Sequence, residues 1–367
     1  MLFFAAIFLF IFVISVLVVI KKQIHIWIWS YIFQSIKRNK ARDKDKPINI
    51  YFCFVDHFEP QWNNPSYEQE KKRVDLWVQE YPKLAKRHRD SRGCHPQHTF
   101  FYPAEEYRKE HLDKLAMLCK TGFGDIEIHL HHDHDTADGL KKKINDFKEK
   151  LYSHGLLSKD ENGRIRYGFI HGNWALDNSR KDGRWCGVNN ELEVLRETGC
   201  YADFTLPSAP SDTQTQKINS IYYAKDDPLK PKSHNCGIDV EVGKLPCGDL
   251  MIVQGPLGLN WKERKWRIFP RIENGDICGN NPPTEYRVDL WVEQHIHVKG
   301  APNHIFIKAH THGAQEKNRD ILLGKSMDEM FDYLEKKYND GEKYLLFYVT
   351  AKEIYDIIKN IEKGNIS

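Results

Sequence analysis

Asp125-Ile126-Glu127-Ile128-His129-Leu130-His131-His132-Asp133-His134-Asp135 alternates apolar and polar side chains, then breaks into a run of histidines and aspartates. In an extended chain Ile126, Ile128 and Leu130 share one face, and Asp125, Glu127, His129 and His131 share the other. The apolar face suits packing against helices. The polar face then points inward, where a column of carboxylates and imidazoles needs a reason. A metal ion is the best reason, because neutral imidazole and carboxylate are ordinary ligands for zinc and its neighbours. A later strand repeats the logic: Ile305, Ile307 and Ala309 face one way, His310 and His312 the other.

Outward from this stretch the chain alternates between segments of strand and helix character. Strands are predicted over 48–55, 98–102, 125–131, 167–171, 202–206, 249–254 and 303–310, and helices over 67–88, 104–119, 136–154, 190–198 and 326–338. A further strand over 343–350 and a helix over 351–363 close the chain. Such alternation predicts parallel strands covered by helices. Seven main strands predict an α/β fold, a distorted seven-stranded (β/α) barrel; an open doubly wound sheet is the alternative. Neither GxGxxG nor GxxxxGK occurs, so a nucleotide-binding sheet is unsupported. The stretch 208–246, rich in Pro, Ser, Asp and Asn, reads as a long loop over the barrel mouth that carries a hairpin-like segment at Ile221–Ala224.

Barrel sites form at the C-terminal ends of the strands. The first strand ends in Asp56-His57-Phe58-Glu59, the fourth in His171-Gly172-Asn173-Trp174, and the fifth carries Asp203. Trp174, with Trp185, reads as a platform for apolar sugar faces or as lid packing. Composition agrees with a folded body: 41% hydrophobic and 29% charged residues in 367, with a net charge of +3. That balance gives no footprint for nucleic acid.

Residues 2–20 are apolar except for Ser15 and carry no charge, and the run ends in Lys21 and Lys22. At 1.5 Å per residue they span about the 30 Å hydrocarbon layer, so an uncleaved transmembrane helix is predicted. Ile-Trp-Ile-Trp-Ser-Tyr-Ile-Phe at 26–33, followed by Lys37, Arg38, Lys40, Arg42, Lys44 and Lys46, reads as an amphipathic stretch at the headgroups. The expected organisation is therefore an anchor over 1–22, a basic linker over 23–46 and a catalytic body over 47–367. The basic residues after the span place that body in the cytoplasm by the positive-inside rule. The eight cysteines form no CxxC pair, which speaks against a zinc knuckle or thioredoxin motif.

These strand-end residues resemble the motifs of the polysaccharide deacetylases of carbohydrate esterase family 4, over roughly 47–313. The resemblance implies a distorted barrel, a divalent metal, usually zinc, and removal of acetyl from N-acetylated sugars. It assigns Asp56 as the base and His57 to a metal-ligand position held by aspartate in the family. Of the family's two histidines four apart, the first falls on His131 and the second on Asp135, with His129 as an alternate donor. His310, with His312 close behind, takes the general-acid position. His171-Gly172-Asn173-Trp174 stands where the family has Arg-x-Pro-Tyr, so His171, Asn173, Trp174 and Asp203 are the expected substrate contacts.

The implied partner is a carbohydrate, lipid-linked where the anchored body meets the inner leaflet. Two rival readings share the barrel. A glycosidase needs two carboxylates flanking one bond, for which Asp56, Glu59, Asp133, Asp135 and Asp203 are candidates. A catalytically inactive, membrane-tethered glycan-binding subunit is the other.

Overall fold

The computed structural model describes residues 13–37 and 45–365. Most of the expected anchor, residues 2–12, and the basic residues Arg38, Lys40, Arg42 and Lys44 lie outside the described residues. Among the described residues no single helix is long and apolar enough to cross a membrane; Val13–Lys21 and Ile24–Ser35 are two helical pieces bent by 95°.

Helix α1 (Ile24–Lys37) rests on the body. Trp27 is fully buried with Ala209, Ile218 and Leu257, and Gln34 donates to the Ile218 carbonyl at 2.6 Å. Trp29 and Phe33 stay exposed. At least this part of the expected linker is thus docked.

The body is a mixed α/β fold built on a largely parallel sheet. Its first half alternates strictly: β1 (Ile48–His57), α2 (Tyr67–Ala85), β2 (His98–Pro103), α3 (Lys109–Leu118), β3 (Gly124–Leu130), α4 (Ala137–Ser153), β4 (Ile165–His171), α5 (Glu191–Thr198), β5 (Cys200–Asp203). Then come β6 (Ile221–Ala224), β7 (Leu250–Val253), a hairpin of β8 (Gly258–Lys265) and β9 (Phe269–Glu273), and α6 (Glu285–Glu293). The chain ends with β10 (His304–Thr311), α7 (Glu316–Leu322), α8 (Lys325–Tyr338), β11 (Tyr344–Val349) and α9 (Ala351–Glu362).

Helix starts follow local chemistry. Ser66 accepts from the Gln69 amide, Thr136 from the Gly139 amide, and Thr350 with Glu353 forms a reciprocal capping box; each satisfies backbone donors that a helix leaves open.

Parallel neighbours run β10-β1-β2-β3-β4-β5-β7, and β6 adds antiparallel to β7. Along β1, β10 covers one edge, while β11 pairs with its first half and β2 with its last residues. The ends of the sheet approach each other. The buried Lys308 ammonium of β10 donates to the carbonyls of Phe204 and Leu206 just after β5. The free edge of β10 is taken up by Gly275 and Ile277, through bonds of 2.9 Å each to His310. This irregular seam is compatible with a barrel.

The alternation read from the sequence sorts two cores. Phe52, Phe54, Ile126, Ile128, Ile305 and Ile307 pack toward the helices. Cys53, Val55, Phe101 and Phe306 face inward, where Ile354, Ile358 and Ile361 of α9 join them. One expectation changes. The helix predicted over 104–119 divides into a short turn, Ala104–Glu106, and α3, because Tyr107 and Arg108 are extended. Within the stretch 208–246, the hairpin-like Ile221–Ala224 expected from sequence is a strand of the sheet, antiparallel to β7.

The seam leaves no room beside Gly255, where a Cβ would stand 2.4 Å from the Lys308 carbonyl oxygen. Gly255→Ala is expected to cost about 1–3 kcal/mol, as overpacking of a closed core does, read as a lower midpoint in urea.

Candidate metal centre

Three parallel strands deliver imidazoles to one end of the sheet. β1 ends in His57 and leads directly to Glu59; β3 carries His129, with His131 just beyond it; His312 follows β10. His57, Glu59 and His129 are buried, and one donor atom from each lies within 4.8 Å of the others, so this group could hold a metal ion. The His57 ring stacks on His312 at 4.6 Å between centroids and meets His129 edge-on at 4.9 Å.

Glu59 ties the group together. Its Oε1 lies 3.3 Å from Nε2 of His129 and 3.3 Å from Nε2 of His131. His129 Nδ1 is 2.8 Å from the Ile170 carbonyl, which accepts its proton. With Nδ1 committed to Ile170, the contact between Nε2 and Glu59 is satisfied either by a second ring proton or by a cation between the two atoms. The donor set fits zinc, which takes imidazole and carboxylate together.

Electrostatics follow from this crowding. Burial, with His312 and His129 adding to it, holds the His57 imidazole well below its ordinary range, so it is neutral. Burial pushes the Glu59 carboxyl up, but hydrogen bonds from His129 and His131 more than offset this and keep it ionised. Burial works against charge on His131 too, yet Glu105 at 2.5 Å and Glu59 push it up to about 10. Glu106, beside this group, is pushed up to about 8, chiefly by burial and then by the charges of Glu59 and Glu105.

The centre opens into a cleft of about 240 Å³ with Trp62, Asn173, Trp174 and Gln315 on its walls. Gly172 makes the turn after β4 fit, since a Cβ there would stand 2.3 Å from the His131 ring. Asn173 and Trp174 both have positive φ, 54° and 56°, a conformation seldom adopted by a bulky residue such as Trp. That turn brings the Trp174 ring within 6.0 Å of His57 and 5.8 Å of His312.

Of the residues expected from sequence, His57, His129, His131, His312, Asn173 and Trp174 come together. The others do not. Asp56 lies on the helix-facing side of β1, accepting from His98 Nε2 at 2.9 Å and the Gly313 amide at 2.6 Å. Both its oxygens are engaged and fully buried, so it does not reach the cleft as a base. Asp135 is held by Lys143 at 2.7 Å and faces His132 instead. His171 is buried beside His132 and Glu191. Asp203 accepts from the Thr205 amide and hydroxyl below the cleft, where burial pushes its carboxyl up to about 7. His310 is fully enclosed, its ring 6.4 Å from His57, and His312 is the one that lines the cleft. Trp185 is flanked by Arg180 and Arg184 outside the cleft.

Glu59 was visible from sequence only as a glycosidase candidate. Glu105, which orients His131, lies inside a segment that reads as plain helix.

No family model matches the chain, and no curated protein matches it. Among solved structures, an alpha-mannosidase from Enterococcus faecalis V583 aligns with 85% of the chain at 10% identity and a TM-score of 0.44. The chain spans 29% of the length of that protein. A likeness of this size carries no conclusion about chemistry.

Because Asp56 is a buried acceptor of two hydrogen bonds, Asp56→Asn is expected to lower stability by about 1–3 kcal/mol in urea unfolding. Zinc affinity of the His57 centre, measured by competition with a chromogenic chelator, should stay within a factor of about two of the wild type, since Asp56 donates nothing to it.

Proposed function

We propose that the protein is a metal-dependent hydrolase acting on a carbohydrate. The observation that carries this reading is the convergence of His57, Glu59 and His129 at the floor of a cleft walled by Trp62 and Trp174. A divalent ion held by those three, zinc by its ligand preference, would supply Lewis acidity and a bound water of lowered pKa.

The protein's own groups do the rest. His57, kept neutral, offers a lone pair rather than a charge. Glu59 fixes the orientation of His129 and His131 through a single oxygen. His312, stacked on His57 and open to the cleft, is placed to give a proton to a leaving group. Trp62 and Trp174 present flat apolar faces suited to sugar rings and reduce the access of bulk water.

Two bonds fit this machinery. Glycosidic cleavage calls for an acid opposite Glu59; Glu106, pushed up to about 8 chiefly by burial, accepts from the Gln61 amide and does not line the cleft, so in that reading the acid is His312. Removal of an acetyl group rests on the deacetylase resemblance and on Glu59 being the one carboxylate among the described residues lining the cleft. The body over 47–367 would work close to a membrane through the apolar segment at 2–20, on the cytoplasmic side by the positive-inside rule, where lipid-linked saccharides are within reach.

The test is hydrolysis of N-acetylated and plain oligosaccharides by the zinc-loaded full chain, with reducing ends and acetate both quantified. Reducing ends assign glycosidic cleavage, and acetate assigns deacetylation. Chelation should abolish either activity, and Glu59→Gln should lower kcat by roughly a hundredfold or more. Turnover that survives both chelation and Glu59→Gln, or no product from any sugar, would sink the proposal.

A further inference from the structure

We infer that a second divalent metal, zinc, is held in a closed structural site by His132, His171, Cys186 and Glu191. Nothing in the proposed hydrolase chemistry uses these four side chains. All are buried, and one donor atom from each lies within 4.8 Å of the others. Two imidazoles, a thiolate and a carboxylate make an ordinary four-coordinate zinc set, with ligand distances of about 2.0–2.3 Å. Only a small contraction of the cluster is needed to reach them.

The surroundings are those of ligands rather than of packed polar groups. Glu191 Oε1 lies 3.2 Å from Nε2 of His132 and 3.5 Å from Nε2 of His171. His171 already has an acceptor at its other nitrogen, since Nδ1 donates to the Gly172 carbonyl at 2.5 Å. A backbone carbonyl is a usual outer partner of zinc-bound histidine, and it leaves the inner nitrogen as the donor. His132 keeps Nε2 on Glu191, while its buried Nδ1, 3.3 Å from Asp135 Oδ2, makes no hydrogen bond. His171 Nε2 has no hydrogen-bond partner although it is fully buried. A neutral imidazole there turns a lone pair toward a carboxylate oxygen, and a cation between them removes the conflict.

Cys186 points the same way. Its Sγ accepts from the amides of Asn178 at 3.3 Å and Val188 at 3.4 Å, and it stands 3.4 Å from Glu191 Oε2. Asp177 and Asn178 take positive φ, 54° and 49°, to aim one of those amides at the sulfur.

The site would pin four places in the chain: the turn after β3 at His132, the last residue of β4, the following connection at Cys186 and the first residue of α5. The β4 turn carries Asn173 and Trp174, so this metal would fix a wall of the cleft without touching substrate.

The test separates this site from the hydrolytic centre, which contains no sulfur. The protein used is the full chain with the exposed Cys236 and Cys247 replaced by serine, loaded with cobalt(II) after chelation. A thiolate-to-cobalt charge-transfer band in the near ultraviolet is expected. It should survive His57→Ala with His129→Ala, and vanish in Cys186→Ser together with one equivalent of bound metal. X-ray absorption of the zinc-loaded protein, which needs no variant at Cys186, should find sulfur in the first shell at about 2.3 Å. A folded protein with neither the band nor the sulfur shell, or a band that persists in Cys186→Ser, would overturn the inference. Because the readout is spectroscopic, it stands whether or not any sugar is hydrolysed.

Discussion

β1 is hydrogen-bonded in register to three strands at once, and the molecule depends on that register. β10 holds one edge from Asn49 to Asp56, β11 the first half of the other, and β2 the remainder. Side chains in a strand alternate, so a slip of one residue would turn His57 toward the helices and Asp56 toward the cleft. Three partners make such a slip costly. Asp56 adds a lock of its own, since its bonds to His98 and Gly313 form only on the helix side. The inward direction of His57, and with it the stacking on His312, follows from pairing far below the cleft.

The end of β3 serves two clusters by the same geometry. His129 and His131 face inward to Glu59, while His132, on the next residue, turns the other way to Glu191. Each group has a buried carboxylate at its centre, Glu59 in one and Glu191 in the other. Both are held ionised by imidazoles against the pressure of burial, Glu191 at about 2. A histidine-rich run that looks like one site is thus divided by a change of direction at a single peptide.

Much of this was legible in the sequence. Apolar stretches of strand length located all seven main strands to within two or three residues, and in β3 the alternation put His129 and His131 on one inward face. Applied to β1, it also separates Asp56 from His57, whereas the resemblance to the deacetylases treats that pair as a unit; here the periodicity is the better guide. Asp135 depends on where a loop turns, which residue spacing alone does not determine, whereas His171 closes β4 on the face of Tyr167 and Phe169, which pack toward the helices, and Asp203 closes β5. Glu105 and Glu106 were hidden in a helical pattern, because the break at Tyr107 and Arg108 leaves no glycine or proline between them. The hairpin β8–β9 escaped notice because it is largely exposed and charged, without a buried face to impose a period.

The cleft divides its labour between two kinds of backbone. The donors His57 and His129 sit on strands, and Glu59 and His312 follow within two residues of one, whereas Trp62, Asn173, Trp174 and Gln315 sit on the connections. Connections accept insertion and exchange far more readily than paired strands do. Descendants of this chain can therefore drift in what they admit to the cleft while the ion-binding floor is inherited intact. Substrate range and reaction type are separately evolvable here, and an engineer can redraw the walls while leaving the floor alone.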